Sequence, residues 1–167
     1  ADGFAAIIAL KCETDFVAKN EGFVALTKKL LDAAVEAKAK SIDEVNNLVV
    51  DGQAVKDLIV EEIGKTGEKM ELGAYEYVEA PATVAYVHFG NKLATVVAFN
   101  KVVEGSDVQH EFAMQVASMN PVAVDPDSVP EEVKTKELEI AIEKTKAEQV
   151  QKAVEAALKK AGFNLYI

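Results

Sequence analysis

From Glu131 to Ala161 the chain contains neither Gly nor Pro, and seven glutamates there face seven lysines. Within that run Ala147, Val150, Val154, Ala157 and Ala161 recur at three- and four-residue steps. Helical periodicity sustained over such a length closes off strands and leaves one long helix with a narrow apolar seam. Balanced charge on its other faces suits a protruding arm, an antiparallel helical or coiled-coil element, more than a core helix. Pro130 fits the first helical position and Gly162 a C-terminal stop. The rest of the chain carries shorter patterns.

That rest alternates between two patterns. Residues 4–11 read as a buried strand. From Asn20 a helix is expected, with Phe23, Leu26, Leu30, Ala34 and Ala37 on one side. Ser41 and Glu44 form a capping box opening a short helix to about Val49. Asp51 is placed to cap another helix, in which Val55, Leu58, Ile59, Glu62 and Ile63 share a side, with Gly64 and Gly67 breaking it. From Glu71 the pattern turns to strands, where Tyr75 and Tyr77 alternate with Glu76 and Val78. Thr83–Phe89 and Lys92–Phe99 flank Gly90-Asn91, a two-residue hairpin signal that pairs Phe89 with Lys92 and His88 with Leu93. Ser106 to Gln109 forms a second capping box, followed by a helix with Val108, Phe112, Val116 and Met119 on one face. The reading is α+β: two α+β subdomains with antiparallel strands and helices, residues 1–100 and 101–167, and a helical arm.

With 167 residues, half of them hydrophobic, the chain has ample material for a core. Its net charge is −10 and its 18 basic residues are all lysine. Phosphate and base recognition lean on arginine forks and a positive face, so direct nucleic-acid binding is excluded as an expectation. An acidic surface suits a soluble protein that meets a basic patch on another protein. One cysteine, Cys12, cannot form an internal disulfide, which points to a reducing, cytoplasmic setting. The apolar runs are too short to span a bilayer. The chain starts without methionine and ends on an apolar tail, so it reads as a fragment of something longer.

Catalytic motifs are absent. Gly64-Lys65-Thr66 mimics the end of a phosphate-binding loop, but Ile59 stands where that motif needs glycine. No spacing joins His88 and His110 to Cys12 as a metal cluster. Asp125 and Asp127 lack the rest of a calcium loop. A Cys/His nucleophile pair stays formally open, although Cys12 reads better as a small apolar residue ending a strand. The expectation is no enzyme, no metal and no cofactor.

Thr14-Asp15-Phe16-Val17 is the stretch that asks for a function. A large aromatic beside a carboxylate, where a strand gives way to a helix, exposes apolar area unless something covers it. In the plain reading Asp15 caps the helix and Phe16 folds into the core. In the sharper one Phe16 is a wedge for a partner's crevice and Asp15 holds the loop or meets a cation there. His88, beside the hairpin turn and on the strand face of Tyr86 and Val84, is either a surface residue packed across from Leu93 or a probe at a stiff tip. His110 reads as an ordinary, partly exposed residue.

The run Cys12-Glu13-Thr14-Asp15-Phe16-Val17-Ala18-Lys19-Asn20-Glu21-Gly22-Phe23 closely resembles the signature of the elongation factor Ts family. Tyr86-Val87-His88-Phe89-Gly90 is similar to that family's Tyr-x-His hairpin, and Ala113 to Pro121 agrees further. The resemblance implies a core of two α+β subdomains with a coiled-coil arm. It implies guanine-nucleotide exchange on elongation factor Tu, acting on GDP and Mg²⁺ held by that partner. Thr14, Asp15, Phe16, Val17 and His88 are then the expected partner contacts, with Asp15 and Phe16 pressed near the partner's Mg²⁺ site. The family's Gly-Gly-Arg/Lys-Ile-Gly is here Gly90-Asn91-Lys92-Leu93-Ala94. The resemblance also implies that the family's N-terminal helical module and the strands after its arm lie outside this sequence. A homodimer through the Ala147–Ala161 seam is a further expectation.

Overall fold

A computed structural model of the chain describes residues 3–102 and 106–160. It is α+β, with six helices and six strands among the described residues, and it divides into two compact units, residues 1–120 and 121–167.

The first unit is built on an antiparallel pair. Strand β1 (Phe4–Lys11) runs against β4 (Glu71–Glu79), from Phe4 opposite Glu79 to Lys11 opposite Glu71, with a register shift between Ala9 and Leu10. Gly3 opens the pair at φ 75°, where an added Cβ would lie 2.5 Å from the Ala80 carbonyl oxygen, so only glycine fits. Helix α2 (Glu21–Glu36) serves two apolar clusters at once. Ala34 joins Phe4, Ala6, Ala39, Val45 and Tyr75. Phe23 and Leu30 join Val55, Ile59 and Met70. Phe4 stacks on Tyr77 at 5.5 Å between centroids. Buried Tyr75 donates its hydroxyl to the Ala39 carbonyl at 2.8 Å, which satisfies the one polar atom it carries inward.

Helix α3 (Ile42–Asn47) has the expected Ser41 cap, with the Glu44 N–H donating to Ser41 Oγ at 3.1 Å. Glu44 reaches one residue further back than a capping box requires and accepts from the Lys40 N–H at 2.8 Å. Asp51 is not a helix cap. Asp51 and Gly52, at φ 51° and 84°, turn a small hairpin between β2 (Val49–Val50) and β3 (Gln53–Ala54), the left-handed pair that an Asp-Gly turn supplies. Asp51 ion-pairs with Lys29 instead. Helix α4 (Val55–Thr66) starts from Ala54 without a side-chain cap bond. Gly64 lies inside α4 rather than breaking it; Gly67 ends it in the left-handed conformation.

Strands β5 (Ala82–Val87) and β6 (Ala94–Phe99) form the expected hairpin, paired from Ala82–Phe99 to Val87–Ala94. Regular pairing stops there, so Phe89 and Lys92 belong to the turn and not to the strands. Helix α5 (Ser106–Met119) packs on this hairpin, where Thr95 Oγ1 donates to the Ala113 carbonyl at 2.9 Å. Among its described residues Ala113 and Ala117 are buried; Val108, Phe112 and Met119, expected inward, are half or more exposed. Small alanines let the helix lie close to the sheet, and the larger side chains are displaced to the rim. The change from strand to helix near residue 100 therefore falls inside the first unit. The capping role expected of Ser106 lies outside the described residues.

The second unit contains α6 (Glu131–Lys160), thirty residues with none of the described ones buried. Pro130 precedes the helix instead of occupying its first position; its carbonyl accepts from Val133 and Lys134 at 3.0 and 3.2 Å. Leu138, Ile140, Ile142, Val150 and Val154 are exposed along it. Within this unit no second described helix pairs with it, so it is a long single helix. The Gly162 stop lies outside the described residues. Among those residues no helix is long and apolar enough to cross a membrane.

Candidate protein-docking site

At the end of β1 the chain makes a tight, well-tied loop. The N–H groups of Glu13 and Thr14 donate to Glu68 Oε2 at 3.2 and 3.0 Å, and the Thr14 hydroxyl bonds to Glu68 Oε1. In return Lys69 N–H donates to Glu13 Oε2 at 3.2 Å. Thr14, not Asp15, caps the four-residue helix α1 (Asp15–Ala18), accepting from the Val17 N–H at 3.4 Å. Asn20 then caps α2 through the N–H groups of Gly22 and Phe23 at 2.8 and 3.4 Å. A Cβ on Gly22 would come within 3.0 Å of Asn20 Oδ1, so glycine gives that cap room.

This local fold gives neighbouring residues opposite fates. Val17 packs against the Phe23–Leu30 cluster, as does Cys12. Phe16, one residue away, is 89% exposed, whereas Phe23 is 6% exposed. Burial and the nearby Glu68 carboxylate push the Cys12 thiol above its ordinary range. A thiol held protonated is a poor nucleophile, which counts against the Cys/His alternative.

The hairpin tip is the second element. His88 N–H donates to the Leu93 carbonyl at 2.8 Å and Asn91 N–H to the His88 carbonyl at 3.0 Å. Gly90 and Asn91 both take positive φ, 88° and 58°. Phe89 projects with 99% of its surface exposed. Tyr86 Oη lies 2.7 Å from His88 Nδ1, and the His110 ring meets Tyr86 edge-on at 5.4 Å. With Nδ1 occupied by the phenol, Nε2 is the ring nitrogen that His88 offers to solvent.

One ion pair links the two elements. Lys92 Nζ, from the tip, donates to Asp15 Oδ1 at 2.7 Å, and the lysine holds the Asp15 carboxyl below its ordinary range. The structure thus brings Asp15, Phe16 and the tip carrying His88 into one neighbourhood, while exposed Thr14 spends its hydroxyl on Glu68 and half-buried Val17 packs on the apolar cluster. Among the described residues no group of three metal-ligating side chains converges. The arrangement has the make-up of a docking surface: two exposed aromatic rings, a charged pair and a histidine. Four residues that shape it, Glu68, Lys92, Tyr86 and His110, were not among those singled out for it from sequence. Glu68 and His110 act from other elements, which no local motif shows. Lys92 was legible as a tip residue but not its reach to Asp15.

The family model described as Elongation factor TS matches residues 13–161. The chain is 59% identical over 162 residues to Elongation factor Ts of Parabacteroides distasonis, covering 96% of this chain and 49% of the relative. It is 57% identical over 162 residues to Elongation factor Ts of Bacteroides thetaiotaomicron, again 96% of this chain and 49% of the relative. Against that of Porphyromonas gingivalis it is 52% identical over 144 residues, 86% of this chain and 52% of the relative. The chain spans about half the length of the curated relatives it matches.

Proposed function

The chain belongs to the elongation factor Ts family, and on that premise we propose that it is a guanine-nucleotide exchange factor for the translational GTPase elongation factor Tu, working in the cytoplasm. It carries out no chemistry and holds no cofactor of its own. Its substrate is a protein with GDP and Mg²⁺ bound, whose affinity comes largely from the metal and the phosphate-cradling backbone. A factor that binds the nucleotide-free partner better than the GDP-bound one weakens GDP by the same factor. Accelerating release a thousandfold takes about 4 kcal/mol of transition-state stabilisation, which one or two well-placed side chains can supply.

Phe16 is the wedge and Asp15 its polar neighbour, with His88 contacting the same domain of the partner. Thr14 and Val17 complete the contact segment and hold it in shape. The observation that carries this reading is the exposure of Phe16, 89%, on a loop whose backbone is otherwise tied down. The experiment is the release rate of a fluorescent GDP analogue from elongation factor Tu, with this chain and with Phe16→Ala. The expected outcome is acceleration that falls on the order of a hundredfold in the variant. Binding without acceleration would show docking without exchange, and no binding at all would sink the reading.

The exposure of Val150 and Val154, 63% and 50%, favours a second property, self-association along α6. A dimer that dissociates on Val154→Lys, followed by light scattering, would support it; a monomer at all concentrations would remove it. A division into subdomains 1–100 and 101–167 remains part of the same proposal.

A further inference from the structure

We propose that Glu68 is the positioning residue that presents Phe16 and Asp15, a role that deepens the docking reading and depends on it only for its functional consequence. Glu68 stands between α4 and β4, over fifty residues along the chain from the loop it holds. Its own N–H donates to Thr66 Oγ1 at 3.3 Å, Gly67 before it closes α4, and Met70 after it is 5% exposed in the second cluster. The carboxylate therefore rises from a fixed base.

From that base it takes three hydrogens from two consecutive residues, Glu13 N–H, Thr14 N–H and the Thr14 hydroxyl. The Thr14 hydroxyl has a single hydrogen. With that hydrogen directed to Glu68, its oxygen is oriented to accept from the Val17 N–H at 3.4 Å. A relay thus runs from Glu68 through Thr14 into the first turn of α1, the turn that carries Asp15 and Phe16. The reciprocal Lys69-to-Glu13 bond at 3.2 Å fixes the loop from the other side. An ionised carboxylate is the side chain suited to this place, because it accepts several converging donors and brings no hydrogen of its own. The same negative charge is felt at Cys12, whose thiol it helps keep protonated.

A rigidly presented aromatic loses less conformational freedom on docking than one on a loose loop. Glu68 therefore acts on the partner through Phe16 without touching it. Three variants, Glu68→Ala, Glu68→Gln and Phe16→Ala, test this in two measurements. The first needs no partner: amide hydrogen exchange in the free chain. Glu68→Ala is expected to speed exchange at the Glu13 and Thr14 amides by on the order of tenfold. Glu68→Gln, which keeps an acceptor oxygen, restores most of the protection. The Leu30 amide in the core stays unchanged in all three, which separates a local effect from unfolding. Unchanged Glu13 and Thr14 exchange in Glu68→Ala overturns the proposal.

The second measurement is GDP release from elongation factor Tu. Glu68→Ala is expected to reduce the acceleration by roughly tenfold, and to reduce it no further when Phe16→Ala is already present. Fully additive losses would overturn positioning through Phe16. If Phe16→Ala alone changes nothing, the docking reading fails, and the amide measurement still decides whether Glu68 sets the loop.

Discussion

The loop that carries Phe16 and the hairpin tip that carries Phe89 expose the same side chain almost completely, at 89% and 99%, but they are supported by different means. The Phe16 loop is tied at both sides to residues 68–69 and rooted through Val17 and Phe23 in a buried cluster. The tip is held by its own turn, by a phenol–imidazole bond and by one exposed ion pair. Long-range bonds to buried or capped elements make a stiff presenter; local bonds at the end of a two-stranded ribbon make a more compliant one. Under the proposed function the contrast would separate two jobs: a wedge that must hold its shape against a partner, and a probe that can settle against it.

The largest expected effect comes from removing the root of the first loop. Phe23→Ala opens a cavity in the cluster of Leu30, Val55, Ile59 and Met70 and should lower unfolding free energy by about 3–4 kcal/mol in urea titration. Under the hairpin, Phe112 meets Phe99 edge-on at 5.7 Å and is half exposed. Phe112→Ala should cost about 1 kcal/mol, mainly the aromatic pair. Equal losses would break the comparison, because the two presenters would then rest on equally firm ground.

Next in size is the local bond of the tip. Tyr86→Phe keeps the ring against His110 and deletes the hydroxyl on His88 Nδ1. About 0.5–1 kcal/mol of stability should go with it, and the His88 ring should lose its fixed orientation, read as averaged imidazole signals by NMR. Phe16 presentation, read at the Thr14 amide, should not change. A change there would mean that the tip and loop are one mechanical unit.

Much of this support was legible in the sequence. Strand β1, the Asn20 and Ser41 helix starts and the register of the Gly90-Asn91 hairpin follow from signals within a few residues. What sequence reading missed depends on distance or on competition between local signals. Asp51-Gly52 is a two-residue turn signal as well as a candidate cap, and the turn prevailed because Val49–Val50 and Gln53–Ala54 could pair. In α5 the large apolar residues drew the predicted face, while the structure buries Ala113 and Ala117 because close approach to the hairpin favours small side chains. In the candidate site, Asp15, Phe16 and His88 stood out by residue type and position. Glu68 did not, since a glutamate among 28 acidic residues carries no local mark.

Cys12 gives a smaller test at the foot of the Phe16 loop. Its pKa is raised by burial and then by Glu68, so below the ordinary thiol range both folded and unfolded states are protonated and pH has no purchase. As pH rises beyond the unfolded value, ionisation favours the unfolded chain and stability falls. Alkylation by iodoacetamide at pH 8 should run slower than that of a free small thiol and recover that rate in denaturant. Alkylation as fast as that of the free thiol would place Cys12 outside the packed foot.

The smallest effect sits on the bond that joins the two regions. Asp15 is held below its ordinary range first by its hydrogen bond to Lys92 and then by that lysine's charge. The sign follows: the pair contributes above the unfolded carboxylate value and is lost as pH falls through the depressed folded one. Both groups are exposed, so salt screens them and stability is a poor readout. The Asp15 carboxyl titration, followed by NMR, is direct. Lys92→Ala should return it toward the ordinary range, and high salt should move the wild type the same way. An Asp15 titration indifferent to Lys92 would mean that loop and tip act independently in solution. The rooted loop would then present Phe16 unaided, and Glu68 would become the main determinant of its pose.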